Sequence, residues 1–239
     1  MLDTFVFDKK AQFLPGAETA LRMQRSINRR LTLLGGNIVG NSRSESSGVC
    51  ARVRRGGMYG FSSVAGCTPE AVDAVIRAAG ENAEFMDERL RRGKPALAGV
   101  PGDRVTEVWD AADPEQKFYI DFARQLDAYI ARKYPDLSSR RIVVFNEGIE
   151  KVIATSDCAD GHVGMIRSYI YVVLGAATPA GVTVELTGIY GGWGEFERQF
   201  HSPEELYHEL DKLHERIMKK REGVYAEAGE KTCILAGEL

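Results

Sequence analysis

Two long stretches of weak apolar–polar alternation open the chain, over residues 18–34 and 37–54, with Gly35-Gly36-Asn37 between them as a turn. A second hairpin follows: Arg52-Val53-Arg54 alternates, Arg55-Gly56-Gly57 turns, and Met58-Tyr59-Gly60-Phe61 returns. Three helices then announce themselves in one way. Thr68-Pro69-Glu70, Asp113-Pro114-Glu115 and Ser202-Pro203-Glu204 each set an N-cap residue before proline at the first helical position. The last two add capping boxes with Gln116 and Glu205. The predicted apolar stripes are Val72, Val75, Ile76, Ala79, Ala83 and Met86; Phe118, Phe122, Leu126 and Ile130; and Leu206, Leu210, Leu213 and Ile217. Further strands are predicted over 140–155 (two, around Asn146-Glu147-Gly148), Met165 to Leu174, and Val182 to Thr187. Lys231-Thr232-Cys233-Ile234-Leu235 reads as the start of another.

One-sided helices grouped against meandering strands predict an α+β fold: two subdomains of mainly antiparallel sheet with helices packed on one face. Residues 1–92 form the first domain, 93–112 a connection rich in Gly, Pro and Arg, 113–226 a central domain, and 227–239 the beginning of a third.

Composition adds bounds. Over 239 residues, 44% are apolar, 27% charged, and the net charge is −3, so no global field draws the chain to nucleic acid or membrane. No apolar run approaches the roughly 20 residues of a membrane span, and no signal peptide is visible. Cys50, Cys67, Cys158 and Cys233 lie far apart without a Cys-x-x-Cys pair, which fits free thiols in a reducing cytoplasm.

Candidate chemistry is sparse. His208-Glu209-Leu210-Asp211-Lys212-Leu213-His214 superficially suggests a zinc helix. Histidines six apart sit about 120° around a helix, however, not on one face as the i, i+4 spacing requires. They read as solvated positions on an amphipathic helix, and His162 and His201 are isolated. No nucleophile elbow accompanies the serines and cysteines. Gly191-Gly192-Trp193-Gly194 lies too far before the helix near Pro203 for a phosphate loop, and reads as a bend that lets Trp193 pack. Between Ala17 and Gly60 there are eight arginines (Arg22, Arg25, Arg29, Arg30, Arg43, Arg52, Arg54, Arg55) against two acids, Glu18 and Glu45. Such a sheet face could meet nucleic acid or an acidic partner, or simply be solvated; few aromatics interleave with it. The residues themselves assign no catalytic, cofactor-binding or metal-ligating position.

Ser44-Glu45-Ser46-Ser47-Gly48-Val49-Cys50-Ala51-Arg52-Val53, then Gly57-Met58-Tyr59-Gly60-Phe61-Ser62-Ser63, then a Pro-Glu-Ala-Val helix, resembles the N-terminal region of the TldD/PmbA family, also labelled modulator of DNA gyrase or peptidase U62. Lys117 with its helix, the turn at Ser156-Asp157 and Asp160-Gly161, and the Gly-Gly bend resemble the family's central domain. Gly229 to Leu235 resembles the strand opening its C-terminal domain. The Cys158-Ala159 insertion and a short N-terminal helix depart from the pattern.

The resemblance implies a cytoplasmic metallopeptidase acting on peptides or unfolded chains, as a homodimer or a heterodimer with a related subunit. Its zinc or other divalent metal would be held by a His-Glu-x-x-x-His helix and a later cysteine in a C-terminal domain that this sequence does not contain. The present chain then reads as a scaffold without catalytic, cofactor or metal residues. Two alternatives are a metal-free partner subunit of such a peptidase, and a non-enzymatic binding module using the arginine-rich face. Nucleic acid is not the expected partner, and a membrane is excluded.

Overall fold

The computed structural model describes residues 2–95, 97–108 and 115–235. Strands β1 (Glu18–Leu34), β2 (Asn37–Arg55) and β3 (Met58–Ala65) follow a short 3-10 helix at Phe5–Gln12. Helix α1 (Pro69–Leu90) and a three-residue strand β4 (Val105–Glu107) come next, then α2 (Gln116–Lys133), β5 (Ser139–Thr155), β6 (Gly161–Ala177) and β7 (Thr183–Trp193). A single-turn α3 (Phe196–Gln199) and a 3-10 turn at Pro203–Leu206 lead into α4 (Tyr207–Arg221).

The fold is α+β, and the strands of both predicted subdomains enter one sheet in the order β3-β2-β1-β5-β6-β4, with β7 also pairing β6. Every pairing is antiparallel except β4 with β6. The seam is β1 against β5, from Ala20 opposite Thr155 to Leu34 opposite Arg141. It joins the two halves of the sequence through a continuous ladder.

That ladder corrects one expectation. Residues 140–155 form a single strand, not two around Asn146-Glu147-Gly148. A two-residue hairpin there would need positive φ, and Gly148 is not among the glycines that have it. Glu147 instead faces Asn28 on one side and Arg167 on the other. Two flanking ladders satisfy its backbone groups and override the local turn preference.

Side-chain alternation puts both cores on the same face. On that face the buried apolar positions of β1 are Leu21, Met23, Leu31 and Leu33, and those of β5 are Ile142, Val144, Val152 and Ala154; Val143, on the other face, is also only 6% exposed. The lower end of this face, with Val49, Ala51 and Val53 of β2, takes the stripe of α1. Thr68 Oγ1 accepts from Ala71 N at 3.2 Å as the sequence predicts for its cap. The other end, with Ile170, Val172 and Leu174 of β6, takes α2, α3 and α4. Burying a side chain such as Val75 or Leu126 contributes about 1.5–3 kcal/mol. Phe196, on the unforeseen α3, meets Tyr119, Phe122 and Phe200 with centroids at 5.0, 5.2 and 4.8 Å.

The helix starts differ from expectation at two places. Asp113 and Pro114 lie outside the described residues, and α2 is capped by Glu115 without a side-chain bond. Ser202 makes no cap bond either; the first turn is 3-10, and Glu205 accepts from the backbone N–H of His201 at 3.3 Å. The connection after α1 crosses the strand ends: Lys94 N donates to Gly56 O, Leu97 N to Glu18 Oε1, and Ala159 N to Val100 O. It ends by pairing β4 beside Gly161–Val163.

Candidate binding face

The described helices lie on one face; the other face carries none of them, and beyond the Glu18–Arg54 end, where Pro95 O and Leu97 N bind, its centre is bare of helices among the described residues. Four cross-strand rows run over its centre. Asn28, Glu147, Arg167 and Trp193 make the first; Arg30, Phe145, Tyr169 and Gly191 the second. Thr32, Val143, Tyr171 and Ile189 make the third, and Leu34, Arg141, Val173 and Thr187 the fourth. Aromatic side chains from the second half of the sequence thus share a surface with an arginine from the first. Arg167 lies 4.2 Å from the centroid of the Trp193 ring. Trp193 is 53% exposed and Ile189 61%. A hollow of about 410 Å³ opens among Arg30, Arg141, Val143, Phe145, Tyr171, Val173 and Thr187.

The arginine-rich segment does not form one face. Arg22, Arg30 and Arg52 reach the bare side and are exposed. Arg54, also there, is tied to Glu18 at 2.6 Å. Arg25 and Arg55 point to the helix side, where Arg25 pairs with Glu45 at 2.7 Å and Arg55 binds Glu84 of α1. The Arg29 guanidinium sits 5.2 Å from the centroid of Tyr119. Alternation divides what the count had pooled.

The histidines likewise separate. His208 is exposed, whereas His214 is not simply solvated: its ring stacks on Tyr134 at 3.7 Å, and burial pushes its pKa below the usual value. His162 is not isolated; it is 5% exposed, and its Nε2 lies 2.8 Å from Glu150 Oε1, which also accepts from Leu2 N at 2.7 Å. His201 stays at the surface beside Glu205. Among the described residues no group of three or more His, Cys, Asp or Glu could hold a metal, so the metal the family implies has no fitting donor set among them. Neither is there a helix long and apolar enough to cross a membrane.

Asp211 anchors a polar clasp between α2 and α4. Tyr129 and Tyr134 hydroxyls donate to Oδ1 at 2.6 and 2.5 Å, and Lys133 Nζ to Oδ2 at 2.7 Å. Partial burial works to raise the Asp211 carboxyl, but these donors together outweigh it and hold it at about 2. Burial and the Asp211 bond push Tyr134 up to about 12. Tyr129 also stacks on Tyr207 at 3.8 Å. This is a fastening between helices.

The glycine bend departs from expectation. Gly191 and Gly192 belong to β7, and Trp193 is not packed inside. Gly191 has φ 110°, and a Cβ there would come 2.1 Å from Ser168 O. At the second hairpin Gly56 and Gly57 turn with φ 57° and 85°. Gly60 answers a different need: a Cβ would lie 2.0 Å from Ala79 O and 2.4 Å from Ala83 N of α1. The Gly-Phe-Ser-Ser return is therefore the seat on which the helix closes.

That segment is what relates the chain to known proteins. Residues 19–83, from β1 through most of α1, match the family described as PmbA/TldA metallopeptidase domain 1. Over that segment the chain is similar to the first domain of the PmbA/TldD family. No curated protein matches. Among solved structures, a protein assigned as a modulator of a DNA gyrase from Thermotoga maritima is similar at TM-score 0.57 and 15% identity, over 84% of this chain and 44% of that one. TldE from Thermococcus kodakarensis is similar at 0.56 and 15%, over 91% and 46%. A protein likewise assigned as a modulator of DNA gyrase from Bacteroides thetaiotaomicron is similar at 0.59 and 12%, over 90% and 48%. The chain thus spans less than half the length of each, and these likenesses concern its fold.

Proposed function

We propose that the chain is the N-terminal and central scaffold of a PmbA/TldD-type metallopeptidase, whose parent protein cleaves peptides or unfolded chains at a metal held elsewhere. The observation that carries this reading is the family match over residues 19–83, joined to a fold likeness that takes in nearly the whole chain but less than half of each solved relative. In this reading the rigid helix-backed sheet forms a wall of the peptidase cleft, and the parent works in the cytoplasm as a dimer of like or related subunits.

The test is direct. The purified chain, supplied with zinc, should leave peptides and denatured protein uncleaved, and a longer product of the same reading frame should gain chelator-sensitive cleavage. Chelator-sensitive proteolysis by the 239-residue chain itself, abolished by His208→Ala, would overturn the reading. The alternative of a metal-free partner subunit is separated by the codons after Leu239: a His-Glu-x-x-x-His helix marks the peptidase, and its absence the partner. The nucleic-acid reading loses its main support, because the arginines are divided between two faces and several are paired.

A further inference from the structure

The hollow on the bare face combines two features that point to one class of ligand. Its floor is apolar and aromatic, from Val143, Phe145, Tyr171 and Val173. Its rim carries Arg30 and Arg141, both exposed, and no ion pair engages either guanidinium among the described residues. Several other arginines are engaged. Arg25, Arg54, Arg55 and Arg140 all hold a carboxylate. Arg140, one residue from Arg141, donates from Nε to the buried Asp127 at 2.8 Å. The fold therefore neutralises the adjacent Arg140 and leaves Arg30 and Arg141 over an apolar floor, on the face where Arg22 and Arg52 are also exposed.

Strand β6 gives an independent sign. Tyr169, Tyr171 and Val173 face the bare side while Ile170, Val172 and Leu174 face the helices. A near-continuous apolar run of this kind marks a strand with apolar neighbours on both faces. On the bare face Val143 and Val173 are only 6% and 7% exposed, and Phe145, Tyr169 and Tyr171 are half-buried beside them with no described helix above. The size of the hollow is that of a site for a small ligand or a single anchored residue.

We propose that this hollow binds the C-terminal carboxylate of a polypeptide whose last side chain is apolar, with Arg30 and Arg141 holding the carboxylate and Phe145 and Tyr171 receiving the side chain. Guanidinium groups bind a carboxylate through paired donors, and apolar walls strengthen that attraction by excluding water. The inference rests on the reading of this half as a cleft wall for the polypeptide nature of the ligand. Its test involves no proteolysis, so the two fail separately.

The experiment is a calorimetric titration of the full 239-residue chain with N-acetyl-Phe-Leu, with the C-terminal amide of that peptide, and with octanoate. The free-acid peptide should bind at low salt, the amide at least tenfold more weakly, and octanoate more weakly than the peptide acid. Arg30→Gln with Arg141→Gln should weaken the peptide acid at least tenfold with an unchanged melting temperature, and Arg30→Lys with Arg141→Lys should restore part of the loss. Equal binding of acid and amide, or an unaffected double Gln variant, would overturn the site. Octanoate binding as tightly as the peptide would overturn the polypeptide assignment in favour of a free apolar acid.

Discussion

The two faces of the sheet are built from the same strands, yet one is closed and the other open. On the helix side, alternate residues of β1, β5 and β6 disappear beneath α1, α2 and α4. On the other side the same strands show Arg30, Phe145 and Tyr171 to solvent. The lesson is that strand alternation separates two tasks residue by residue: one set of positions holds the fold, and the intervening set is free to recognise something. Substitutions on the two faces should therefore differ in kind.

The largest effect is expected where a helix and a strand touch backbone to backbone. Gly60→Val would force α1 off β3, because even a Cβ meets Ala79 O and Ala83 N; a loss of about 3 kcal/mol or more is expected in urea unfolding. Leu21→Ala, deep under α1, should cost about 3 kcal/mol by the same measurement. Asp127→Ala strands Arg140 against α2 and should cost about 2 kcal/mol, with Asp127→Asn losing less. If any of these left stability unchanged, the helix face would not be what holds the fold.

Smaller effects come from the clasp and the bare face. The folded state holds the Asp211 carboxyl at about 2, below its ordinary value of 3.8. Its stabilisation is thus present above pH 3.8 and is lost as pH falls through 2. Asp211→Asn should flatten that acid limb at a cost of no more than about 1 kcal/mol, since the pair is partly screened by solvent. His214 is also lowered in the folded state, so the unfolded chain binds more protons just below its ordinary value of 6.5, and stability declines as pH drops through that region. His214→Gln should remove this step from a pH series of melting temperatures. Smallest of all, Trp193→Ala on the bare face should stay within about 0.5 kcal/mol of the parent.

Much of this was legible in the sequence, and the rest has physical reasons. The β1–β2 and β2–β3 hairpins were readable because glycine pairs mark their turns. Thr68-Pro69 fixed the start of α1. The Asn146-Glu147-Gly148 turn failed because turn propensity is local, while the β1 and β6 ladders that override it come from far along the chain. Phe196 on α3 gave no periodic signal, since one helical turn is too short to show one. The pairing of His162 with Glu150 required β5 and β6 to be in register. The bare face was hidden for a related reason. Its arginines and aromatics lie in different halves, and only the β1–β5 seam brings Arg30 beside Phe145. A partial signal was present in the apolar run from Tyr169 to Leu174, which is more than a one-sided strand requires.

The division between the faces can be tested in one measurement: thermal melting of the wild-type chain and of Arg30→Gln/Arg141→Gln, each with and without millimolar N-acetyl-Phe-Leu. Wild-type should melt higher with the peptide, while the variant should match wild-type without it and gain nothing from it. A variant that melts well below wild-type, or that is stabilised by the peptide to the same extent, would contradict the account.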